Sequence, residues 1–186
     1  MMQREWIDKF NNDSIFIKLK IIEKSDNRNL IDFFKRFNKE ELSLYGLFSD
    51  IKELIDSNEE CLNYQCYSLY SDCLFGITED DRIIGLVLFY DHDIVNRKIK
   101  IGYIRAPSES KKGLMSHACS FLISLFFENL RINKIKAYIL HGNQKSINFI
   151  KKLGFHEEGM LKEEILINNV FHNLSIYCLI NKTKLL

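Results

Sequence analysis

Two short stretches bring together residue types at spacings that could do chemistry. The first is APSESKKGLMSHA, 106–118, in which Lys111 and Lys112 stand directly before Gly113 and Arg105 lies just upstream. A helix opening at Gly113 would present unbonded backbone N–H groups and the positive end of its dipole, an arrangement that attracts anions. Glycine would let a phosphate approach the backbone, and the lysines would add charge. A nucleotide triphosphate P-loop is disfavoured, because the G-K-[ST] ending is absent. The same residues also read as a capped helix behind a solvated basic loop. The second stretch is HGNQKSINFIKKLGFHEEG, 141–159. Here Asn143 is placed to cap a short amphipathic helix, Ser146 follows one turn later, Gly154 stops the helix as a C′ residue, and Phe155 returns to the core. Taken by itself it is equally a capped surface helix with a glycine stop. His92, flanked by Asp91 and Asp93, is a third candidate, since imidazole is suited to accept a proton near neutral pH. A polar turn between strands is its other reading. His141 sits beside Asn143, whereas His117, His156 and His172 read as structural or surface residues.

The elements that must position these residues follow from periodicity. SIFIKLKII, 14–22, alternates with period two and predicts a strand. Asp26 or Asn27 then caps the amphipathic NLIDFFKRF, and a second helical pattern covers 39–56, bent near Gly46. Residues 61–71 are ambiguous. Three strands are expected at 73–77, 82–90 and 98–106, with EDD and VNRK as turns that make them antiparallel neighbours. After Pro107 come a wide-faced apolar helix at 113–130, a strand at 134–140, a helix at 144–153, a strand from Phe155 and a closing strand at 171–180. The strand, helix, strand unit of 98–106, 113–130 and 134–140 implies a parallel crossover within a mixed sheet. The fold class is α/β (α+β).

Composition bounds the function. A chain of 186 residues with 46% hydrophobic and 27% charged residues is globular. It is expected to form a single domain over 1–186, with residues 1–12 as a frayed N-terminal segment. A net charge of +1 gives no broad affinity for nucleic acid or anionic membrane, so neither is expected as a partner. The five cysteines lack a paired C-x-x-C framework and suit buried thiols in a reducing compartment. Metal binding by Cys61 and Cys66 is disfavoured for want of a nearby histidine, and no metal is expected. No apolar run is long enough to span a bilayer, so a soluble cytoplasmic protein is expected.

The two stretches in this order, separated by one helix and one strand, resemble the GCN5-related N-acetyltransferases. The likeness is to the branch of ribosomal-protein N-terminal, spermidine and amino-sugar acetyltransferases. It rests on IGYIRAP (101–107), KKGLMSHA (111–118), NKIKAYILHGNQKS (133–146) and INFIKKLGFHEEGMLKE (147–163). The resemblance implies a mostly antiparallel sheet of about seven strands with one splayed parallel pair, flanked by about four helices. It implies acetyl-CoA as cofactor, with the pantetheine arm between the strands at 101–106 and 134–140. By the same likeness Ile104, Arg105, Lys111, Lys112, Gly113, Leu114, Met115 and Ser116 border the pyrophosphate or the acyl arm. Asn143 resembles the family asparagine that contacts pantetheine, and Ser146 the serine near the sulfur, a proton donor to the leaving thiolate. The oxyanion donor is expected from the backbone of 102–105. Tyr103 would line the acyl channel, and Tyr45 and Phe48, near Asp50, would wall an acceptor pocket.

The sequence departs from the family pattern in three respects. Ile150 stands where many relatives carry a tyrosine acid, which leaves Ser146 as the donor. Lys100 stands where many carry a glutamate base, and a cation there repels an ammonium and cannot take its proton unless its pKa is strongly depressed. Ser110 and Lys111 replace commoner phosphate-loop residues. His92, on the edge where acceptors approach in this family, becomes the candidate base. The expected activity is transfer of an acetyl group to a primary amine of a small molecule, such as an amino sugar, by a monomer or homodimer. A protein N-terminal amine and a catalytically silent acyl-CoA-binding module are the alternatives. The lack of an acidic cluster disfavours a polyamine.

Overall fold

The computed structural model describes residues 5–9, 16–22, 26–38, 72–107 and 113–182. By packing, the chain divides into two compact units, Met1–Leu88 with Tyr103–Met115, and Phe89–Gly102 with Ser116–Leu186.

In the first unit, β1 (Glu5–Lys9) pairs antiparallel with β2 (Phe16–Ile21), from Glu5↔Lys20 to Lys9↔Phe16. This strand falls within the stretch for which the sequence predicts no ordered element. β2 in turn pairs antiparallel with β3 (Cys73–Glu79), from Lys18↔Thr78 to Ile21↔Phe75. β4 (Arg82–Asp93) is the next strand in the ladder. Six consecutive residues of β3 and seven of β4 are buried, so these strands are covered on both faces and read as unbroken apolar runs. Helix α1 (Asn27–Phe34) buries Leu30, Phe33 and Phe34, with the Phe33 and Phe34 rings edge to face at 5.3 Å. Its cap residue, Asp26, makes no side-chain cap bond. The carboxylate instead accepts from Lys20 Nζ at 2.5 Å and is nearly buried.

The second unit holds the end of β4, the start of β5 (Lys98–Arg105), most of α2 (Leu114–Asn129), β6 (Lys134–Leu140), α3 (Gln144–Lys152), β7 (His156–Ile167) and β8 (Val170–Ile180). Its strands pair in the order β5-β6-β8-β7. β5 and β6 run parallel, as the crossover predicts. β6 pairs antiparallel with β8 along its whole length, from Lys134↔Ile180 to Leu140↔Leu174. One sheet face is apolar: Ile99, Ile135, Ala137 and Ile139 alternate inward, and Phe89 stacks on Phe126 of α2 with ring centroids 3.9 Å apart. Burial of such aromatic and branched side chains is the main stabilising term here, roughly 1.5–3 kcal/mol for each.

The expected strands and helices recur with shifts of a few residues, and the mixed sheet with its parallel pair is as predicted. Among the described residues the strands number eight, in keeping with the expected sheet of about seven, β1 being the addition. The described residues form three helices. The pattern at 39–56 and the ambiguous 61–71 lie outside them. Cys119 and Cys178 are free, buried thiols as expected. Cys73 is not: it is disulfide-bonded, which an odd cysteine count permits but does not announce. No helix among the described residues is long and apolar enough to cross a membrane.

Candidate active site

The start of α3 is built from the backbone outward. β6 ends at Leu140, and Gly142 turns the chain with φ +87°, a value that strains any residue with a Cβ. The Asn143 N–H donates to Leu140 O at 2.9 Å, and the Gln144 N–H to Gly142 O at 2.7 Å. The Asn143 carboxamide oxygen then accepts from the Ser146 N–H at 3.2 Å, which makes Asn143 the N-cap and sets Ser146 at the third helical position. Asparagine rather than aspartate matters at this cap. The oxygen serves the helix, and the NH₂ group remains as a donor that aspartate would lack. At the far end Gly154 takes φ +89°, its N–H donates to Lys151 O at 3.0 Å, and the Phe155 N–H donates to Ile150 O at 3.2 Å. That is the Schellman pair of bonds, with Ile150 and Phe155 both buried beside it. Ile150, at the family's tyrosine position, is therefore a core residue.

The start of α2 has a different construction. Gly113 has φ +86°, and an added Cβ there would meet nothing within 4 Å among the described residues. The side chains of Ile104, Leu114 and Met115 are buried, which leaves only their backbone groups to meet a cofactor. Gly85 permits this packing: a Cβ on it would lie 2.7 Å from Met115 Sδ and 3.4 Å from Ile104 O. The Ala106 N–H donates to Ile84 O at 3.1 Å, which fixes the end of β5. Arg105 is exposed; Ser116 and Tyr103 are half-buried. Along β5 the burial alternation slips by one residue between Ile101 and Ile104, leaving Gly102 and Tyr103 both half-buried. Lys111, Lys112, Tyr45 and Phe48 lie outside the described residues.

His92 sits near the end of β4, half-buried, with Asp91 at φ +53° before it. Both flanking carboxylates are engaged. Asp91 pairs with Lys100 at 2.7 Å, and Asp93 accepts from the Asn96 backbone and side chain at 2.8 Å each and pairs with Lys98 at 3.3 Å. The Asn96 bonds, backbone first, hold the Asp93 carboxyl below its ordinary range. Lys100 has further partners, its ammonium lying 4.8 Å from the Tyr138 ring centroid and 5.7 Å from that of Tyr90. The position of the missing glutamate is thus a cation held by one carboxylate and two aromatic faces.

One pair had no signal in the sequence reading. His141 Nδ1 lies 2.9 Å from the Oγ of Ser175, a residue 34 positions away on β8 and 1% exposed. Only the register of β6 on β8, with Ile139 opposite Ser175, brings them together.

A model of the acetyltransferase (GNAT) domain matches residues 19–156. The chain belongs to the GNAT acetyltransferase family. Among its relatives is YdaF of Bacillus subtilis (strain 168), named as a candidate ribosomal N-acetyltransferase. It is 28% identical over 169 residues, which cover 89% of this chain and 92% of that protein. The ribosomal-protein-S5-alanine acetyltransferase of Vibrio fischeri shares the fold with a TM-score of 0.77 at 20% identity, covering 96% of this chain and 98% of that one. The spermidine N-acetyltransferase of Vibrio cholerae, solved with CoA and spermine, does so with a TM-score of 0.74 at 24% identity, covering 88% and 95%. The chain is accordingly an acyltransferase of the N-acetyltransferase type.

Proposed function

We propose that this chain transfers the acetyl group of acetyl-CoA to the primary amine of a small molecule. The observation that carries the reading is the start of α3, where the Asn143 cap fixes Ser146 at a helix N-terminus directly behind β6. Acetyl-CoA would supply the acyl group as a reactive thioester. The residues present fit it: a glycine of positive φ and the first amides of a 16-residue helix suit its pyrophosphate, and the Asn143 NH₂ suits a pantetheine carbonyl. Gly113, Leu114, Met115 and Ser116 would bind through backbone N–H groups, with Arg105, Lys111 and Lys112 adding charge. Ser146 Oγ would donate a proton to the departing thiolate, and His92 would take one from the amine. Backbone amides in 102–105 would stabilise the developing oxyanion. Ile150 and Lys100 can do neither the acid's nor the base's work.

The relatives named for ribosomal-protein acetylation support a second reading, in which the acceptor is a protein N-terminal amine. Amino sugars are one small-molecule class within the first reading, and no relative reported above is named for them. Mass spectrometry after incubation with acetyl-CoA separates the two. A panel of amino sugars and other amine metabolites should give acetylated products faster than N-terminal peptides of ribosomal proteins. Acetylation confined to the peptides would overturn the small-molecule assignment.

A further inference from the structure

The tripeptide Lys-Ile-Lys occurs twice, at 98–100 and 134–136, and the fold sets the two copies side by side. β5 and β6 pair in parallel with Lys98↔Lys134, Ile99↔Ile135 and Lys100↔Lys136 in register. The two isoleucines are buried, so all four lysines share the opposite, half-exposed face. Neighbouring strands are about 4.8 Å apart, and like charges set directly opposite are destabilising. Such a lattice calls for counter-charge. Three of the lysines have it: Lys98 from Asp93, Lys100 from Asp91 and Lys134 from Glu158. Lys136 has no carboxylate in salt-bridge range among the described residues. Glu158 feels its charge but is committed elsewhere, one oxygen accepting from Lys134 and the other from the Cys178 thiol at 2.7 Å. Those two bonds, the thiol's first, hold the Glu158 carboxyl below its ordinary range.

We infer that Lys136, with Lys100 opposite it, binds an anionic group, a carboxylate or phosphate, carried by the acceptor amine. The inference rests on the acetyltransferase reading above and names its substrate class. Lys100↔Lys136 is the last pair of the parallel register, and Tyr138, the next residue on that face of β6, lies under the Lys100 ammonium. The subsite therefore adjoins the segment of β5 where the alternation slips. A surplus ammonium on Lys136 also disfavours a polycationic acceptor, which would gain nothing from it.

The test compares 2-aminoethyl phosphate with ethanolamine as acceptors, and measures inorganic phosphate binding to the CoA-loaded protein by calorimetry. The wild type should prefer the phosphorylated amine by about tenfold or more in kcat/KM, since a charge-assisted bond is at stake. Lys136→Gln should reduce that preference to within about twofold and abolish phosphate binding, and Lys136→Arg should restore both. Equal use of the two amines with no phosphate binding by the wild type would overturn the inference while leaving the acetyltransferase reading intact. Lys136-dependent phosphate binding without acetylation of any amine would refute the acetyltransferase reading and keep the anion site. If Lys136→Gln instead raises KM for acetyl-CoA but not for acetyl-dephospho-CoA, the anion is the cofactor's own 3′-phosphate and the acceptor assignment fails.

Discussion

At the start of α3 the Asn143 carboxamide takes the Ser146 amide, and the Gly142 carbonyl takes the Gln144 amide. At the start of α2 the first amides, those of Leu114, Met115 and Ser116, follow Gly113 at φ +86°, where an added Cβ would meet nothing within 4 Å among the described residues. Both helices follow a strand through a glycine of positive φ; the cap that closes α3 lies wholly among the described residues, whereas the residues just before Gly113 do not. The contrast separates two tasks. A self-capped start holds a side chain in one place, as catalysis by a hydroxyl requires. A helix start whose first amides face a ligand is an electrostatic socket, as anion binding requires.

Breaking the fixed start should have the largest consequence. Ser146→Ala removes the proposed proton donor and should lower kcat by about 10²-fold while CoA affinity by calorimetry stays within about twofold. A loss of affinity equal to the loss of kcat would show that the two starts do not divide the work. Next, Gly113→Val forces a β-branched residue into a left-handed conformation at the socket. Strain of about 1–3 kcal/mol should appear as roughly a tenfold to hundredfold weaker CoA complex. Unchanged affinity would mean that the amides of α2 do not bind the cofactor.

Asn143 sharpens the comparison, because one side chain serves both tasks. Asn143→Asp keeps a cap oxygen and loses the NH₂ donor, so Tm should hold while CoA binding falls by about tenfold. Asn143→Ala should lose both, with stability down by about 1 kcal/mol in a denaturant titration. If Asp substitutes without loss of affinity, the carboxamide is a cap only.

The smallest effect lies away from both starts, at Cys178. Burial, reinforced by the Glu158 carboxylate, pushes its thiol up to about 12, against an ordinary value of 9.0. The folded state therefore favours the protonated thiol over the unfolded one. The associated stability is complete below pH 9, and falls as pH rises from there toward 12. Cys178→Ala should flatten that alkaline decline in a pH series of denaturant titrations, and an unaltered slope would assign the decline to other groups.

Much of this was legible in the residues because it is local. The Asn143 cap and the glycine stop at Gly154 are each fixed by contacts within about one helical turn, and the strand at 134–140 is announced by its own alternation. The long-range features were not legible. Nothing in the sequence joins His141 to Ser175, whose contact depends on the β6–β8 register. The two Lys-Ile-Lys copies were visible, but their alignment needed a parallel register that hydrophobic alternation alone cannot set. Lys100 was expected to stand as an obstructive cation. Asp91, Tyr90 and Tyr138, from two other strands, hold it as a satisfied one. The alternation at 98–106 predicted a regular strand, whereas the slip at Gly102 and Tyr103 is a tertiary choice that β propensity does not encode.

The central claim is that the fixed start of α3 makes this chain a working amine acetyltransferase and not merely a CoA binder. Release of CoA thiol from acetyl-CoA, followed with a thiol reagent across a panel of primary amines for the wild type and Ser146→Ala, tests it most directly. The account predicts amine-dependent release by the wild type and a loss of about 10²-fold in the variant. Tight CoA binding with no amine-dependent release from either protein would contradict it.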